Sequence, residues 1–187
     1  MKNPKRFHTL IAVLFIVRWA LCTDWGTTAL SQERSEPLII DHTCTDLAKI
    51  PDAWIDSVQA NICLHYAHTS HGEQLTVGLE RLENQDVKYS VASGYSFLPT
   101  EAGAFCIFDG QEDNTYITPE EYWDSATGRQ KTRNVLNHNP TINVSMWAWC
   151  TQQNDNDSTT TQRYLDTMAA FEAANLGVTF VYMTGNT

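Results

Sequence analysis

The chain has 187 residues, of which 22 are acidic and 12 basic, with six histidines and five cysteines. Its formal net charge of −10 repels nucleic acid and anionic membrane surfaces and argues for neutral or cationic partners, the plainer reading being that the charge keeps an exported protein soluble. The length suits a single domain with a core of its own.

The first residues read as an export signal. Lys2, Lys5 and Arg6 make a basic start, and Leu10 to Val17 is an apolar run too short to span a bilayer. Arg18 interrupts the run, and Ala29-Leu30-Ser31 supplies the small residues that cleavage needs. Residues 1–31 are therefore expected to be a signal peptide, 32–37 a polar leader ending at Pro37, and 38–187 the mature domain, secreted or periplasmic. A lipid anchor at Cys22 is less favoured, because no small residue precedes it. Removal of 1–31 takes four basic residues and one acidic, which leaves a net charge of about −13. No membrane contact is expected after cleavage. Cys44, Cys63, Cys106 and Cys150 remain, an even number that predicts two disulfides with three possible pairings.

Leu38-Ile39-Ile40 reads as a short strand, followed by Asp41-His42-Thr43. Pro51 opens a helix to about Ala60, with Trp54, Ile55 and Val58 on one face that should pack on a sheet. Ile62 to Ala67 is a strand, and after the turn 68–72 a helix runs from Glu73 to about Asn84 with Leu75, Leu79 and Leu82 on one stripe. From Val87 to Asn114 the pattern dissolves into a long loop, in which only Phe105 to Phe108 reads as a strand. Asp109, Glu112 and Asp113 there lack the spacing of a calcium loop and read as solvated acids. Thr118-Pro119-Glu120-Glu121 has the form of a helix start, Gly128 is expected to break that helix, and a basic helix then spans Arg129 to about Asn137. Ile142 to Trp149 is a strand. Asp157 or Ser158 caps a helix whose Tyr164, Leu165, Met168 and Phe171 share a face, Gly177 closes it, and Val178 to Met183 is the last strand. This alternation predicts an α/β fold with a parallel sheet. Ending on a strand with no covering helix would leave such a sheet half exposed, so a truncated reading frame or fragment is expected.

The informative stretch is His68-Thr69-Ser70-His71-Gly72, a polar turn between strand and helix. Such a turn lifts a side chain off the carboxyl end of a sheet and sets it beside a helix N-terminus, where free N–H groups stabilise developing negative charge. Only the second glycine of the G-x-S-x-G elbow is present. Ser70 is the candidate nucleophile; the plainer reading is that Thr69 or Ser70 caps the helix.

Asp41-His42-Thr43-Cys44, Tyr66 to Gly72, Thr118 to Trp123, Trp147-Ala148-Trp149-Cys150-Thr151-Gln152 and Val181-Tyr182-Met183-Thr184-Gly185 together resemble a largely uncharacterised group of secreted bacterial proteins similar to SGNH (GDSL-type) hydrolases. The resemblance implies a flavodoxin-like three-layer sandwich, incomplete at its C-terminus, that acts as an esterase on acyl groups, often of carbohydrate. It makes Ser70 the nucleophile and offers Gln152 or Asn154 for the oxyanion hole. The Asp-x-x-His block that supplies the family's general base is not found before Thr187.

His68, His71 and Gly72, with His42 and Trp149, are expected to line the pocket. His65, His68 and His71 form H-x-x-H-x-x-H, but a strand and a turn do not converge such ligands, so no metal and no cofactor is expected. Trp123, Trp147, Trp149, Tyr66, Tyr95 and Tyr122 are aromatic residues that stack on sugars when exposed and fill a core when not. The rival function is a secreted carbohydrate-binding or interaction domain without turnover. Either way the expected partner is a small-molecule or carbohydrate ester.

Overall fold

The computed structural model describes residues 39–183, apart from the side chain of Gln152. The expected signal peptide, the leader, Leu38 and residues 184–187 lie outside the described residues. The chain divides into two compact units at Thr45. In the first, Ile39 and Ile40 are exposed and outside any strand, which corrects the expected strand there. Asp41 instead caps a single 3-10 turn, His42–Cys44, by accepting the Thr43 N–H at 2.8 Å.

The second unit, from Asp46, is an α/β layered structure. Its strands are β1 (Cys63–His68), β2 (Val91–Tyr95), β3 (Phe105–Asp109), β4 (Val144–Ala148) and β5 (Thr179–Val181). They form one sheet in the order β2-β3-β1-β4-β5 with every pairing parallel. The helices are α1 (Asp52–Asn61), α2 (Glu73–Gln85), α3 (Ala126–His138) and α4 (Ser158–Ala174). Helices flank the sheet, consistent with a flavodoxin-like three-layer α/β fold.

All six residues of β1 are buried, as a central parallel strand requires. Its alternate side chains serve two cores. Cys63 and Ala67 join Phe108, Trp123, Trp147, Trp149, Tyr164, Met168 and Phe171, whereas Leu64 and Tyr66 join Ile107 and Ala148. Met168 and Trp147 are fully buried, and burying an aliphatic side chain of this size contributes about 1.5–3 kcal/mol. Leu165 stays exposed at the margin of the face predicted for α4. Asp157 caps α4 by accepting the Thr160 N–H at 2.7 Å.

Three further expectations are corrected. No residue of α1 is buried and Trp54 is exposed; Gln59 Nε2 donates to the carbonyls of Lys88 (2.9 Å) and Ser90 (3.1 Å) just before β2. The stretch 87–114 is not one loop, because Val91–Tyr95 pairs with β3 as the edge strand β2. Gly128 does not end a helix. The break falls at Ser125, between a π-helical turn Glu120–Asp124 and α3, and Gly128 lies inside α3 because a Cβ there would collide with the Glu120 carbonyl.

A disulfide joins Cys63 to Cys106, at paired positions on β1 and β3, and this resolves one of the open pairings. Among the described residues no helix is long and apolar enough to cross a membrane.

Candidate functional site

Strands β1 and β4 are neighbours, yet the chain leaves them in opposite directions: after β1 it passes through α2 to the β2 edge, and after β4 through α4 to the β5 edge. In an open parallel sheet this divergence opens a crevice at the carboxyl ends of the two strands, where ligands bind. The register pairs His68 with Ala148, so two residues further along each strand Ser70 meets Cys150.

The side chains meet there as well. His71 Nδ1 lies 2.6 Å from Cys150 Sγ, and Ser70 Oγ lies 3.6 Å from the same sulfur. Cys150 is 6% exposed, whereas Ser70 and His71 stand in the solvent-facing turn above it. Burial raises the cost of a thiolate at Cys150, but hydrogen bonds from Ser70, from the His71 ring and from the Thr151 and His71 backbone outweigh it and bring the thiol down to about 6. A thiol lowered in this way is substantially thiolate near neutral pH, and the sulfur is a competent nucleophile.

The turn is held from below. Tyr66 donates its hydroxyl hydrogen to the Gly72 carbonyl at 2.7 Å. Gly72 is needed for space, since its backbone is helical (φ −64°) and a Cβ there would collide with His68 Cβ. His68 lies 7% exposed and its ring nitrogen Nδ1 donates to the Thr69 carbonyl at 2.9 Å. Its Nε2 stands 3.1 Å from Asp109 Oδ1, an ion-pair contact without the alignment of a hydrogen bond. Burial works against the imidazolium, and the Asp109 carboxylate, the Thr69 carbonyl and the charge of Glu73 more than offset it, so the ring titrates above its ordinary value.

The three histidines thus have three different environments. His65 is fully buried between the Ser145 hydroxyl and the Gly110 carbonyl, both at 2.9 Å, and desolvation drives it down to about 4 despite the carbonyl. Among the described residues no group of three or more His, Cys, Asp or Glu side chains is placed to hold a metal ion. Asp109 is buried against His68, which corrects its reading as a solvated acid, whereas Glu112 and Asp113 are exposed and pair with His138 and Lys131.

The structure brings Ser70 and His71 together with Cys150, and places His68 and Gly72 directly beneath them. Trp149 is buried, T-stacked on Trp147, Trp123 and Tyr164, and donates its indole N–H to the Met183 carbonyl at 2.8 Å. It is a core residue. Asn154 is exposed on the 3-10 turn Thr151–Asp155, which also carries Gln152. His42 belongs to the unit ending at Thr45 and is exposed. Cys150, counted from the sequence among four cysteines expected to form two disulfides, is the candidate site residue that sequence reasoning missed. The strand ends read from the sequence, Ala67 and Trp149, do not show it, because they put Ser70 three residues and Cys150 one residue beyond; the register of β1 and β4 does.

Compared with family models, with curated proteins and with solved structures, the chain finds no match. The functional reading therefore rests on the site.

Proposed function

We propose that the chain is an exported hydrolase that cleaves carboxylic esters, including acyl groups on carbohydrate, through a covalent acyl-enzyme at the carboxyl edge of β1 and β4, where Ser70, His71 and Cys150 meet. One observation carries the reading. A hydroxyl, an imidazole and a thiol converge where the sheet's connections diverge, at the head of α2. The N-terminal N–H groups and dipole of α2 favour the negative charge that builds on a carbonyl oxygen during acyl transfer. The resemblance to SGNH hydrolases supports the same reaction class, and the Cys63–Cys106 disulfide supports passage through an oxidising compartment.

The second reading, a carbohydrate-binding domain without turnover, is favoured by different residues. Trp123, Trp147, Tyr66 and Tyr122 are buried, but Tyr95 at the end of β2, Phe97 just after it and Tyr116, bridged to His68, are more than half exposed on the carboxyl side of the sheet.

Hydrolysis of an aryl acetate separates the two. Release of alcohol by the native protein that is lost on heat denaturation supports the esterase. No release of alcohol, together with retained binding to a polysaccharide in protein whose circular dichroism is native, supports the binding domain.

A further inference from the structure

The base next to Ser70 in sequence faces a different nucleophile. His71 Nδ1 reaches Cys150 Sγ at 2.6 Å, well inside the separation from Ser70 Oγ to the same sulfur, 3.6 Å. Two chain segments deliver the pair, β4 the thiol and the β1–α2 turn the imidazole. Among the groups that face the sulfur are the Ser70 hydroxyl and the His71 ring. A negative charge on sulfur therefore meets hydrogen-bond donors, a basic ring and the positive end of the α2 dipole. The sulfur lies beneath an exposed Ser70 and an exposed His71, so an electrophile enters through the same rim that a serine substrate would use.

We propose that Cys150 and His71 form a thiolate–imidazolium pair that carries the acyl group on sulfur, so that the attacking atom of this site is Cys150 Sγ and Ser70 is its hydrogen-bond donor. The inference rests on the acyl-transfer reading for its substrate class, a carboxylic ester, and names the nucleophile of that reaction. The thiolate adds to the ester carbonyl carbon, the carbon–oxygen bond to the alcohol breaks, and the departing alkoxide takes the proton of the His71 imidazolium. The product is a thioester on Cys150, a neutral His71 and a free alcohol. Water then gives a proton to His71 and its hydroxyl to the thioester carbonyl, the carbon–sulfur bond breaks, and carboxylic acid leaves as the thiolate–imidazolium pair is restored.

The test uses an aryl acetate with the full chain, quenched in acid during turnover, and peptide mapping of the acyl group. The expected adduct lies on the Cys150 peptide and is removed by neutral hydroxylamine, which cleaves thioesters under conditions that leave serine esters intact. Cys150→Ala loses turnover by a factor of about 10³ or more, and Ser70→Ala, which keeps the thiol, by about tenfold. An adduct on Ser70 that resists hydroxylamine, with turnover preserved in Cys150→Ala, overturns the inference and leaves the serine hydrolase standing. No adduct and no turnover in protein whose circular dichroism is native overturns both.

Discussion

The Tyr66 hydroxyl bonds the Gly72 carbonyl at 2.7 Å, so the strand that leads into the Ser70 turn also clamps the turn's far end. Both groups are buried, and the hydroxyl's loss leaves the carbonyl without that donor. Tyr66→Phe should cost about 1–2 kcal/mol, read as a lower urea midpoint with an unchanged slope. Because the clamp spans Ser70 and His71, ester turnover should fall along with stability.

Gly72→Ala acts on the same turn by collision. Its Cβ would meet His68 Cβ, a backbone-proximal atom that cannot swing away. A destabilisation of about 1–3 kcal/mol is expected, comparable to overpacking a core. By contrast Gly78→Ala, where a Cβ meets nothing within 4 Å, should be neutral or stabilising in the middle of α2. Thermal melts of the two variants side by side check the contrast.

Histidine titration gives stability a pH dependence of opposite signs. His65 falls from 6.5 to about 4 on folding because of its burial, so the unfolded chain binds its proton more readily. Stability from His65 is complete above pH 6.5 and is lost as pH falls towards 4, about 3 kcal/mol in all. His68 is raised: burial opposes the imidazolium but Asp109 prevails, so its contribution is complete below pH 6.5 and is lost as pH rises through its folded value. Urea midpoints of the parent should drop between pH 6.5 and 4.5, and His65→Gln should flatten that drop while leaving the alkaline limb in place.

The Cys63–Cys106 bridge closes 43 residues of sequence that contain α2 and β2. Loop-closure entropy for such a ring corresponds to about 4 kcal/mol, an upper figure that residual structure in the unfolded chain reduces. The Cys63→Ala/Cys106→Ala double variant should therefore melt well below the parent. The parent should match it after reduction by dithiothreitol.

Much of this architecture is legible in the residues. β1, β4 and β5 announce themselves as bounded apolar runs, and Asp157 and Ser125 mark real helix starts, although only Asp157 is readable as such in advance. β2 is not legible, because Ser93 and Gly94 dilute its pattern and its order comes from pairing with β3. The failure of α1 to bury its apolar face is equally non-local, since its partners, such as the Lys88 and Ser90 carbonyls that Gln59 reaches, lie about thirty residues away in sequence. At the site, Ser70, His68, His71 and Gly72 follow from a strand–turn–helix pattern. Cys150 does not, because an even cysteine count points to disulfides, and only the β1–β4 register shows it opposite Ser70.

The central claim, that the β1–β4 edge holds a nucleophilic thiolate at Cys150 through its contacts with the β1–α2 turn, is tested most directly by the pH dependence of Cys150 alkylation. Iodoacetamide should react in a Cys44→Ser background with a midpoint near 6, held there against desolvation by Ser70 and His71, and His71→Gln should move it towards about 8.5. The rate at pH 6.5 should then fall only about five- to tenfold, because a thiolate of higher pKa is the stronger nucleophile; the midpoint is the sharper readout. A midpoint near 8.5 in both proteins would contradict the account, since the 2.6 Å contact would then stabilise no charge on sulfur.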